Sequence, residues 1–256
     1  MEMRKTTDRI GDIESLKVPL ELKAEVRSYC RVLERIYGDQ ICSIIVIGSA
    51  ATPDFSAARS DINLMVVFRE IEIKELSRVV MPPRKWWRRS RLSPRFISRR
   101  NIESAAKCFP IDVWLMKENH VTVYGEEILS SLAIDKSVLA WHVNHEVKGV
   151  RMRLKQQYVR SRGAWGMAQR NLSADFTTLL CLCRALLWLK DARVIGGMNA
   201  VMTRAEQVLC INGEYMAQLR EVREGRRTVT AANADDLFAG LLDVVRQLDT
   251  IAEEVA

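Results

Sequence analysis

Long uncharged stretches are missing from this 256-residue chain. The longest, Gln40 to Pro53, is 14 residues, well short of the ~20 apolar residues that cross a bilayer, so no membrane span is expected. The first 30 residues are studded with charge and hold no apolar stretch of the kind a secretory leader carries. Histidine is scarce. His120, His142 and His145 have no HxxxH or HExxH spacing, and a helix-surface pair is the ordinary reading of the last two. The six cysteines (Cys30, Cys42, Cys108, Cys181, Cys183 and Cys210) lack the paired spacing of zinc sites or secreted disulfide scaffolds. Most lie in apolar runs, as reduced core residues of a cytoplasmic protein do. No internal repeat is present.

One segment lacks acid altogether. Arg84 to Arg100 holds eight Lys and Arg and no Asp or Glu; with +7 overall, the other 239 residues stand at −1. The chain is therefore not basic in general, and its global charge is no argument for nucleic-acid binding. Trp86, Trp87 and Phe96 interleave with those cations. Such a mixture suits RNA or single-stranded DNA, through phosphate neutralisation and base stacking. The plainer reading, a solvated basic helix or loop whose tryptophans pack on the domain, is the favoured one.

What is present is a mixed first half and a helical second half. Glu21 to Ile36 spaces Leu22, Val26, Cys30, Leu33 and Ile36 at steps of three and four, an amphipathic helix with Gly38 placed to cap it. Ile41 to Ile47 reads as a buried strand and Asp61 to Phe68 as a second. Ile71 to Val80 reads as helical and stops at Pro82-Pro83. A helix-like stretch from Asn101 and a third strand over Phe109 to Met116 are expected, then a short extended piece, Val121 to Gly125. From Ala133 onward no alternation remains. Helices are expected over 137–162, from a Ser173 cap to about 191, over 199–211, over 214–224, and after an Asn233 cap. The fold class is therefore α+β, a mixed sheet packed on helices followed by an all-α bundle. The expected domains are 1–130 and 131–256.

Two short strings carry candidate chemistry. Gly48-Ser49 closes the run Ile44 to Ile47, and Ser60-Asp61-Ile62-Asn63 opens the run Leu64 to Phe68. Asp61 and Asn63, two apart on a strand, point to one face. Asp112, in the expected third strand, would be costly to bury without a metal or a partner. Gly48 lets backbone approach a phosphate without a clashing Cβ, and Ser49 adds a hydroxyl and an amide N–H. Phosphoryl transfer needs such ligands for divalent ions together with donors for phosphate oxygens. Each piece alone has a plainer reading: Gly-Ser is a common turn, Asp-x-Asn a common cap, and a strand Asp often faces water at an edge. Their order, each attached to a β-like run, favours the site.

Residues 44–68, IIVIGSAATPDFSAARSDINLMVVF, resemble the signature of the DNA polymerase beta-type nucleotidyltransferase superfamily: strand, Gly-Ser, loop, then Asp-x-Asp/Glu on the next strand. The stretch FPIDVW resembles its third, Asp-bearing strand. The second half resembles the all-α domain of small bacterial members, including antibiotic nucleotidyltransferases and HEPN-like partners. That resemblance implies magnesium held by Asp61, Asn63 and Asp112, a nucleoside triphosphate such as ATP at Gly48 and Ser49, and NMP transfer to an unidentified acceptor. Asn63 departs from the motif: a neutral amide neither offsets an ion's charge nor bridges two ions well. A slow enzyme, or one using a single tightly held metal, or a nucleotide-, RNA- or partner-binding protein without turnover, follows from that departure. Asp54 could lend a compensating charge. Glu146 is a candidate general base whose plainer reading is an exposed, ion-paired Glu.

Overall fold

The computed structural model describes residues 10–57, 60–76 and 91–256. The chain divides into two compact units, 1–134 and 135–256.

In the first unit, β1 (Ile41–Ile47), β2 (Ile62–Phe68), β3 (Leu92–Ser98) and β4 (His120–Gly125) form one mixed sheet in the order β3-β2-β1-β4. β1 is antiparallel to β2 and β4, and β2 is parallel to β3. The central strands are buried on both faces, which is why they read as unbroken apolar runs. One face, with Ile44, Val46, Leu64, Val66 and Phe68, packs on Val26, Tyr29, Cys30 and Leu33 of α1 (Leu20–Tyr37). Gly38 closes α1 at φ +50°, an ordinary conformation only for a residue without a Cβ. The opposite face, with Ile45, Ile47, Met65 and Val67, packs on Ile102 and Val113. After β2 comes α2 (Ile73–Leu76); of the helix expected to Val80, the remainder lies outside the described residues, as do Trp86 and Trp87.

Two expectations exchange places here. Phe109 to Met116 is not a strand: α3 (Arg99–Cys108) is followed by α4 (Pro110–Glu118), with Pro110 in its first turn and Asp112 exposed. Proline's fixed φ suits that position, and Pro110, Val113 and Trp114 bury together at helical spacing. The third strand is instead Leu92–Ser98, from within the basic segment. As the edge strand it tolerates Pro94 and the exposed Arg95. Phe96 packs against Phe68, ring centroids 6.3 Å apart, so its face belongs to the core rather than to a nucleobase.

The second unit consists of α5 (Lys136–Ser161), α6 (Trp165–Leu189), α7 (Met198–Leu209), α8 (Gly213–Arg223) and α9 (Ala234–Val255). Ser173 does not cap α6 but sits inside it, its hydroxyl donating to Gln169 O at 2.7 Å. Asn212 caps α8, accepting from the Glu214 and Tyr215 amides. Asn233 precedes α9 without capping it; its side chain holds the Thr228–Thr230 turn instead. By length and composition α6 could cross a bilayer. Its Leu172, Asp175, Phe176, Leu179 and Leu186 are buried inside the unit, the pattern of a core helix.

Candidate functional site

The end of the sheet where β1 stops and β2 starts is built around one rung. Ile47 is the register partner of Asn63 on β2 and of His120 on β4. The chain leaves Ile47 through a tight turn, Gly48–Ala51, that Gly48 opens at φ +77°. A Cβ built on Gly48 would have Nδ2 of Asn63 as its nearest neighbour, at 3.9 Å. The turn therefore faces the Asn63 side chain across open space.

The Gly48 amide donates to Asn119 O at 3.0 Å, which ties the turn to the end of α4. What the turn can offer a ligand comes from Ser49, which is half-buried and whose hydroxyl has no partner among the described residues. Its carbonyl accepts from both the amide and the hydroxyl of Thr52, so the turn is rigid.

Asp61 stands one residue before β2 and is exposed, with no hydrogen-bond or ion-pair partner among the described residues. Asn63 is half-buried two residues on and points to the same face, toward α3 and α4. Asp61, Asn63, Gly48 and Ser49 thus gather at one end of the sheet. Asp112 lies instead on a helix, exposed in the first turn of α4 beside the buried Val113, seven residues before Asn119 and about 10 Å from it along the helix axis. Among the described residues, no three His, Cys, Asp or Glu side chains group closely enough to hold a metal ion. Asp61 and the Asn63 amide oxygen are still hard oxygen donors, and magnesium commonly keeps several waters and takes only one or two carboxylates beside phosphate oxygens. The residues present fit that ion as a single, partly hydrated site.

The strand beside β2 carries residues that the sequence reading passed over. Ser93 is the register partner of Asn63, and Arg95 that of Met65. Arg91 precedes Leu92: its carbonyl accepts from the Ile62 amide at 2.7 Å, and its guanidinium donates to Ser60 O at 3.4 Å. The signal was a period-two alternation within Arg91-Leu92-Ser93-Pro94-Arg95-Phe96, hidden by its charge. On the other flank His120 has both ring nitrogens engaged, Nδ1 with Lys117 O at 2.9 Å and Nε2 with Glu127 Oε1 at 3.0 Å. Burial pushes the Glu127 carboxyl up, but the Thr122 hydroxyl, the Ser130 amide and His120 together hold it below its ordinary value. This network fastens β4 to the segment after it. In the helical unit Glu146 is ion-paired with Arg153 at 2.7 Å, the plainer of its two readings.

No family model matches the chain, and no curated protein matches its sequence. Among solved structures it is similar to a spectinomycin adenyltransferase from Enterococcus faecialis, crystallised with ATP and spectinomycin. The TM-score is 0.55 at 11% identity, covering 88% of this chain and 98% of that one. The protein has a nucleotidyltransferase-type fold, a mixed four-stranded sheet with helices and a helical C-terminal region.

Proposed function

We propose that this chain is a nucleotidyltransferase-type protein that binds a nucleoside triphosphate with magnesium at the Gly48–Ser49 turn and moves an NMP group slowly to an unidentified acceptor. The observation that carries this reading is the approach of the Gly48 turn to Asn63, with the exposed Asp61 two residues before it at the same end of the sheet. Asp61 and the Asn63 oxygen would hold the ion, which when bound offsets phosphate charge. Ser49 donates to phosphate oxygens, and Gly48 leaves room for them. An acceptor oxygen attacks the α-phosphorus, the bond to the bridging oxygen breaks, and pyrophosphate leaves. If an amide in place of a carboxylate forfeits ~3 kcal/mol of transition-state stabilisation, transfer slows about a hundredfold. ATP is the first nucleotide to test, because the structural relative was crystallised with it.

A second reading, nucleotide binding without turnover, is favoured by β3. Its residues Leu92–Ser98 include no carboxylate beside Asn63. Calorimetric titration of ATP, CTP, GTP and UTP, with and without magnesium, tests the shared core of both readings. Metal-dependent binding that Asp61→Ala abolishes is expected. No metal-dependent binding to the intact chain would discard both.

A further inference from the structure

On the face where a third carboxylate is implied by the family resemblance, β3 and the residue before it carry two arginines, Arg95 and Arg91. Ser93 lies beside Asn63 and Arg95 beside Met65, so Arg91, one residue before β3, lies beside Asp61 in the same parallel register. Leu92 and Phe96 pack on the α1 face and Ile97 on the other, so alternation aims Arg91, Ser93 and Arg95 at the face of Asp61 and Asn63. Arg91 is half-buried and tethered to Ser60 O at 3.4 Å. Arg95 is exposed, and among the described residues its guanidinium has no hydrogen-bond or ion-pair partner. Strand geometry puts the Arg95 Cα about 8 Å from that of Asn63, within reach of a long side chain for a group seated between them.

We propose that Arg91, Ser93 and Arg95 form a phosphate clamp that takes the triphosphate tail of the nucleotide, supplying fixed positive charge where a two-metal site would hold its second ion. This rests on the nucleotide-binding reading above. A guanidinium is always charged and presents donors in a planar fork that matches two phosphate oxygens. One divalent ion on Asp61 and Asn63 leaves part of a triphosphate's charge uncompensated, and Arg91 and Arg95 on the adjoining segment offset it without further carboxylates. The same positive edge disfavours a polycationic acceptor.

The test titrates ATP, ADP and adenosine, each with magnesium, into the full chain and into Arg95→Glu and Arg95→Lys. Arg95→Glu should weaken ATP by tenfold or more, ADP less, and adenosine not at all, with Lys recovering part of the loss. An unchanged melting temperature is expected for an exposed edge residue. Equal ATP affinity in wild type and Arg95→Glu, or equal losses for ATP and adenosine, would overturn the clamp while leaving nucleotide binding intact. No ATP binding by the wild-type chain would overturn both.

Discussion

Gly48 and Asn63 face one another across the end of the β1–β2 ladder, a Cβ position on one lying 3.9 Å from the amide nitrogen of the other. The glycine is there for its backbone. At φ +77° an L-residue is strained, and no neighbouring atom would clash with an added methyl. Gly48→Ala should therefore cost about 1 kcal/mol of stability through conformation alone. Urea denaturation reads this directly, and a loss under 0.3 kcal/mol, by order of magnitude, would mean the turn relaxes without strain.

Asn63→Asp places a carboxylate where a neutral amide now faces the turn. The magnesium concentration giving half-maximal ATP binding should fall by roughly tenfold, as a charged hard-oxygen ligand replaces a neutral one. Because Asn63 is half-buried and its amide has no partner among the described residues, the fold should tolerate the change. An unmoved magnesium midpoint would separate residue 63 from the ion.

Asp249 is almost fully buried in the helical unit, and Lys148 and Arg151 both donate to it from α5. Burial raises its pKa, but the hydrogen bonds from Lys148 and Arg151 outweigh that and hold the carboxyl below its ordinary range. Its stabilisation is thus present above the ordinary carboxylate pKa and lost as pH falls through the depressed value. Asp249→Ala should lower stability at neutral pH by about 2 kcal/mol, discounted because both cations are half in water. Thermal melts of the variant should converge on wild type in acid; a constant difference would point to packing instead.

Asp175 is the opposite case. It is buried in α6 with Oδ2 unpartnered, and burial raises its pKa against the opposing pull of Gln157 and Arg153. The unfolded chain loses this proton first, so the folded state loses stability as pH rises from the unfolded toward the folded pKa. Asp175→Asn should raise stability by about 1 kcal/mol at pH 7, with the gain shrinking toward acid. Melting curves from about pH 4.5 to 7.5 give the slope; a gain independent of pH would show that Asp175 stays ionised.

Legibility in the chain followed the physics of each element. β1 and β2 could be read directly, because strands buried on both faces have no polar side to blur them, and α1 because its apolar steps fit one period. The third strand could not. Phe109 to Met116 is a short apolar run that strand and helix fit equally, and Pro110 settles it as helix only once Val113 has a sheet to pack against. Leu92–Ser98 looks like solvated charge until β2 pairs with it, since half of an edge strand can face water. The same exchange moved the candidate ligands: Asp112 left the sheet for a helix turn, and Ser93 and Arg95 came in beside Asn63 and Met65.

Local chemistry, readable in one dimension, sufficed for the α+β class and the turn at Gly48, because each depends on a glycine, a period or a spacing within a few residues. Which strand lies beside β2, and so whether Asp112 or Ser93 and Arg95 stand beside Asn63 and Met65, depended on pairing between segments some 30 residues apart. Such pairing is decided by what the whole sheet can bury, and no local pattern encodes it.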